Sequence, residues 1–267
     1  MSLPAQGFLR YIRLDPQAGA EGYPFDLPVV ARLARLGRLD LDPGTTFLVG
    51  DNGSGKSTLI EALATAAGFN AEGGSKSFRF ATRSSESSLG DHLVLCWNRR
   101  PRTGYFLRAE SFYNVATEID RLDREPGPSL LAAYGGRSLH ERSHGQSFLD
   151  LANHRFGPGG LYILDEPEAA LSVQGCLALM VRMRELLAQG SQFVVATHSP
   201  ILLAMPGARI LQIETDGTIE QVDYEQAEPV ALTRAFVNHP HRFLRTMFDD
   251  VAAAPAPAPA PSDDRWA

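Results

Sequence analysis

The chain has 267 residues, 44% of them hydrophobic, and a formal net charge of -6, which suits one large α/β domain or two small ones with a sizeable core. The acidic balance lends no support to nucleic acid as a partner, leaving only a local basic patch for that role. No apolar run approaches the roughly 18 residues of a membrane helix, Met1-Ser2-Leu3-Pro4 opens no signal peptide, and the two cysteines, Cys96 and Cys176, stand far apart among apolar residues. These features speak against direct membrane insertion and against a disulfide or zinc framework, and for two thiols in a reducing cytoplasmic compartment.

In chain order, residues 8–14 alternate as a strand, and Thr45–Val49 is an apolar strand that runs into a glycine-rich turn. Residues 57–67 form a helix stopped by Gly68, while 92–97 and 104–108 read as a strand pair around a turn over 98–103. Residues 111–122 place Phe112, Val115, Ile119 and Leu122 at helical spacing. The second half alternates: helix 146–156 closed by Gly157, strand 161–164, helix 173–187, strand 192–196, then strands 210–213 and 219–222 around Asp216-Gly217. Strand–helix alternation predicts a mostly parallel sheet with ligands at the carboxyl ends of its strands. Residues 252–261 alternate Pro with Ala, so one domain over 1–250 and an extended, disordered tail over 251–267 are expected.

Gly50-Asp51-Asn52-Gly53-Ser54-Gly55-Lys56-Ser57 matches the phosphate-binding pattern G-x-x-x-x-G-K-S/T, with Thr58 next in the helix. Glycines let successive N–H groups point inward at phosphate oxygens, and the following helix adds its positive end. Lys56 would reach the β- and γ-phosphates of ATP, and the Ser57 hydroxyl would ligate Mg²⁺.

Leu161-Tyr162-Ile163-Leu164-Asp165-Glu166 is an apolar strand ending in two carboxylates and resembles a Walker B motif. That resemblance assigns Asp165 to Mg²⁺ and Glu166 to the attacking water. His198 follows the next buried strand, where a histidine can contact the γ-phosphate.

With Ser143-His144-Gly145-Gln146-Ser147 opening a helix before Asp165, the chain resembles the ABC-type ATPases. The resemblance implies a P-loop fold of ABC type: a mostly parallel central sheet, an N-terminal antiparallel β part and a small helical subdomain. It also implies ATP hydrolysis in a homodimer, with Ser143, Gly145 and Gln146 of one copy serving the nucleotide of the other. The segments 134–141, 165–172 and 197–203 resemble bacterial stand-alone ATPases loosely grouped with the AAA family, closer to the soluble, DNA-repair-like ABC branch than to transporter subunits. A soluble clamp or processing factor is the reading this implies; the nucleotide-binding subunit of a transporter is the alternative.

The chain departs from the ABC pattern in three places. His144 replaces the first glycine of the signature pair, Ser172 stands where many members carry Asp, and no glutamine lies between Gln17 and Gln146. Glu110 is the candidate substitute for the missing Q-loop glutamine, weighed against a surface carboxylate at a helix N-terminus. Tyr23 or Phe25 is the candidate adenine-stacking aromatic, weighed against a core aromatic, which is the favoured reading. Arg99, Arg100 and Arg102 are candidate phosphate contacts, weighed against a solvated turn.

Overall fold

The computed structural model describes residues 7–16, 22–75, 88–126, 129–141 and 143–252. The expected Ala/Pro tail lies, from residue 253, outside the described residues. The chain divides into two compact units, residues 1–230 and 231–267.

The first unit is built on a six-stranded sheet. Its strands are β3 (Thr45–Val49), β5 (Thr103–Arg108), β6 (Gly160–Asp165), β7 (Gln192–Ala196), β8 (Arg209–Ile213) and β9 (Ile219–Val222), in the order β5-β6-β7-β3-β8-β9. All neighbours are parallel except the β8–β9 hairpin. The expected antiparallel part is a separate three-stranded sheet, β2-β1-β4, of Leu9–Leu14 (β1), Leu39–Asp40 (β2) and Leu93–Trp97 (β4).

The central strands are apolar throughout because both faces of the sheet are covered. Phe47, Val49, Tyr105, Leu107, Tyr162, Leu164, Phe193 and Val195 belong to one core cluster, with residues of α3 (Phe112–Asp123), α4 (His144–Arg155) and α5 (Val173–Ala188). Leu48, Phe106, Leu161, Ile163, Val194 and Ala196 belong to the other, with α1 (Pro28–Leu36), α2 (Lys56–Ala66) and β1. The strict alternation between clusters is the period of two of a strand. The helix α1, for which the sequence patterns above place no element, buries Val29, Val30 and Leu33 on one side. The helical subdomain is α3 and α4 with short 3-10 turns at Leu131–Tyr134 and Leu139–Glu141.

One expectation is corrected. The strands 92–97 and 104–108 do not pair with each other: β4 pairs with β1, and β5 pairs in parallel with β6. The link between them crosses from one sheet to the other. Its backbone is committed to the first strand, since Asn98 donates from its N–H to Phe8 O (2.8 Å) and from its side chain to Gly7 O (3.2 Å). The arginines of this link are exposed, with Arg99 over the Phe8 ring (4.6 Å) and Arg100 over Trp97 (4.4 Å).

A buried glutamine ties the two sheets together. Gln192 Oε1 accepts the N–H of Phe8 (2.9 Å) and of Leu9 (2.8 Å), and its Nε2 donates to Leu9 O (2.8 Å) and Asp42 O (2.7 Å).

In the second unit, the remainder of α7 (Glu228–Asn238) leads to α8 (Pro240–Ala252), and the rings of Phe236 and Phe243 meet edge to face at 5.8 Å.

Candidate functional site

The turn from β3 into α2 needs its glycines. Gly50, Gly53 and Gly55 all have positive φ, and a Cβ on Gly50 would sit 2.1 Å from Ile213 O, one on Gly55 2.5 Å from Val29 Cγ1. Lys56 is only 3% exposed and donates from Nζ to Asp51 O at 2.8 Å, curling the turn. Burial pulls the Lys56 ammonium below its usual range, opposed by the charges of Glu166, Asp165, Asp51 and Glu168. The buried Ser54 hydroxyl has no hydrogen-bond partner among the described residues, an orphaned polar atom inside the loop. A cavity of about 310 Å³ lies over the turn, lined among others by Tyr23, Asn52, Lys56, Thr58 and Glu166.

The second wall is the end of β6. Ser57 donates from Oγ to Asp165 Oδ1 at 3.2 Å. Burial pushes the Asp165 carboxyl up to about 6; the Arg108 guanidinium pulls it down and Glu166 raises it. A hydroxyl and a buried carboxylate oxygen at this spacing form a hard-oxygen set that fits Mg²⁺, an ion that usually takes one or two carboxylates and fills its shell from phosphates and water. Among the described residues, no group of three or more His, Cys, Asp or Glu is gathered as a metal site.

Glu166 is the one non-glycine residue with positive φ (48°) among those described. A left-handed conformation at such a residue costs about 1–3 kcal/mol and is typical of functional turns. Its N–H is held by Ala196 O (2.9 Å), and its Oε1 lies 3.5 Å from His198 Nε2, which makes no hydrogen bond among the described residues. Lys56, Ser57, Asp165, Glu166 and His198 are thus brought to one end of β3, β6 and β7.

Ser143, Gly145 and Gln146 are not brought there; none lines the phosphate-loop cavity. Ser143 caps α4 in a capping box, with Gln146 N–H donating to Ser143 Oγ and Ser143 N–H to Gln146 Oε1, both at 3.4 Å. Ser143 and Gln146 are exposed, and a Cβ on Gly145 would lie 3.2 Å from Ala170 O, so the turn packs against the segment that follows Glu166. His144 meets Phe112 edge on at 5.7 Å.

The two candidate aromatics separate. Phe25 packs on His92 (5.2 Å) beside the core, whereas Tyr23 is 68% exposed and lines the phosphate-loop cavity, its hydroxyl 3.4 Å from Thr58 Oγ1. Two residues of the site carry no signal in the sequence. Glu168 Oε1 accepts the His198 N–H (2.5 Å), and Arg108 rather than Glu110 stands beside Asp165 in the sheet register. Both relationships join residues far apart in the chain, which local spacing does not report.

The fold is that of a P-loop domain, and the order of the motifs resembles that of the ABC-type ATPases. A family model described as "AAA domain" matches residues 34–106. The macrolide export ATP-binding/permease protein MacB of Hahella chejuensis is 26% identical over 204 residues, covering 68% of this chain and 30% of that protein. The MacB of Chromobacterium violaceum is 27% identical over 207 residues, with coverage of 68% and 30%. The chain therefore spans about 30% of the length of these curated relatives. Among solved structures, the SMC head domain from Thermotoga maritima is similar with a TM-score of 0.40 and 16% identity, over 81% of this chain and 98% of that one. No helix among the described residues is long and apolar enough to cross a membrane.

Proposed function

We propose that the chain binds Mg-ATP over residues 50–58 and hydrolyses it between two copies of itself. The observation that carries this reading is the 3.2 Å contact of Ser57 Oγ with Asp165 Oδ1, which joins the phosphate loop to the carboxylate strand end. Loop N–H groups and Lys56 hold the β- and γ-phosphates. Ser57 and Asp165 would hold Mg²⁺, which when bound offsets phosphate charge. Glu166 accepts the proton of the water that attacks the γ-phosphorus; the β–γ bridging oxygen leaves with ADP. His198 Nε2, 3.5 Å from Glu166 and without a hydrogen bond among the described residues, is available to the γ-phosphate. The exposed helix start at Ser143, Gly145 and Gln146 completes the site of the second copy, where backbone N–H groups and the helix dipole favour an anion. Tyr23 stacks on adenine.

The biological role that fits best is a cytoplasmic clamp or processing factor. A transporter subunit is the second reading, and the similarity to macrolide export ATP-binding/permease proteins favours it specifically. Phosphate release from Mg-ATP by the purified chain, compared with Lys56→Ala, tests the activity. Release no greater than that of the variant would overturn it.

A further inference from the structure

Arg108 ends β5, and the parallel register sets it against Asp165 at the end of β6. Its guanidinium faces three carboxylates, from α2, from the turn after β5 and from β6: Nη1 to Glu61 Oε2 at 2.9 Å, Nη2 to Glu110 Oε2 at 3.2 Å, and Nε to Asp165 Oδ2 at 3.3 Å. The last is a charge contact rather than an aligned hydrogen bond, since Nε has no hydrogen-bond acceptor among the described residues. Asp165 meets Ser57 with its other oxygen, Oδ1. Ser57, Arg108, Glu110, Asp165 and Glu166 line a cavity of about 230 Å³, and Ser57 and Glu166 also line the phosphate-loop cavity.

We infer that Arg108 is a positioning residue for the metal-binding carboxylate: by holding Oδ2 of Asp165 it presents Oδ1 toward Ser57, so that Mg²⁺ arriving with ATP meets an aligned oxygen pair. The inference rests on the ATP reading above. A carboxylate has a soft terminal torsion, so something must fix the plane in which its two oxygens lie if one of them is to face the metal. The planar, forked guanidinium can do this while anchored on Glu61 and Glu110; a lysine ammonium, a point charge on a flexible stem, cannot.

The test is equilibrium binding of a fluorescent ATP analogue to the full chain, first in EDTA and then across a Mg²⁺ titration. Arg108→Ala should bind the analogue in EDTA within about 2-fold of wild type, because the phosphate loop is intact. The Mg²⁺ concentration that half-maximally tightens binding should rise about 10- to 100-fold, the usual cost of losing an outer partner of a metal ligand. Arg108→Lys should recover only part of this. A midpoint unchanged or moved to lower Mg²⁺ would overturn the inference, the latter making Arg108 a cation that merely competes with the metal. Equal losses in EDTA and in Mg²⁺ would also overturn it, as general damage to the site. Should Arg108→Ala not fold, Arg108→Lys alone decides, by whether its midpoint rises. A wild-type chain that binds the analogue under neither condition would sink the ATP reading itself, and this inference with it.

Discussion

Glu168 Oε1 accepts the backbone N–H of His198 at 2.5 Å, tying the turn after β6 to the loop after β7. Its second oxygen is buried without a hydrogen-bond partner among the described residues. Glu168→Ala should release the His198 loop. A hydrogen bond to a charged group contributes about 1.5–3 kcal/mol, so phosphate release should fall about ten- to a hundredfold while ATP affinity changes little. Glu168→Gln keeps an acceptor for the His198 N–H, so its turnover should stay near that of wild type. Parallel turnover and nucleotide titration check both variants; wild-type turnover in Glu168→Ala would exclude the anchoring role.

Gln192→Leu should be among the costlier single substitutions. It leaves the N–H groups of Phe8 and Leu9 and the carbonyls of Leu9 and Asp42 without the partner they have at 2.7–2.9 Å. A loss of about 2–4 kcal/mol is expected. Urea denaturation should show a lower midpoint at an unchanged slope; a shift under 0.5 kcal/mol would mean that water replaces the amide.

Glu166→Gln should bind Mg-ATP yet hydrolyse it about 10²- to 10⁴-fold more slowly, because the amide keeps the shape but takes no proton. With ATP uncleaved, the variant should run as a dimer in light scattering, and as a lighter species without nucleotide. Adding Ser143→Arg should break that dimer, since a long side chain replaces the hydroxyl at an exposed helix start. A Glu166→Gln chain that remains monomeric in excess Mg-ATP contradicts the shared site.

Stability should fall in alkali. Burial pushes the Tyr162 phenol up to about 12 and raises those of Tyr105 and Tyr134. An unfolded tyrosine titrates near 10. The fold therefore favours the neutral phenols: their contribution is whole below pH 10 and is lost as pH rises from about 10 toward 12. Urea midpoints at pH 8, 10 and 11.5 should decline in that window. Tyr162→Phe removes the hydroxyl that donates to Gly157 O (2.6 Å) and accepts from Gly157 N–H (2.7 Å). It should be less stable at pH 8 but lose less above pH 10.

What the sequence by itself determined is local in origin. The alternation of apolar strands with helices reports a sheet covered on both faces, and the positions of β3, β6, β7 and α5 differ from the expected bounds by at most a residue or so. The phosphate loop, Asp165-Glu166 and His198 were legible because each follows a strand end, and parallel strands bring those ends together. The helix at 146–156 starts at His144 instead, because Ser143 rather than a later residue supplies the cap. Tertiary structure alone decided what pairs across the chain. The strands β4 and β5 sit on either side of a turn-like segment, yet 98–103 carries them into different sheets, because each finds a better partner in β1 and β6. Glu110 and Arg108 are both polar residues at a strand end; only the register with β6 puts Arg108 beside Asp165 and leaves Glu110 81% exposed. Glu168 follows the carboxylate strand end and Gln192 opens a buried strand, and neither position names a partner in sequence. Their partners lie 30 and more than 100 residues away, at a separation where hydrophobic period and turn chemistry carry no information and only the packed sheet fixes which donors meet which acceptors.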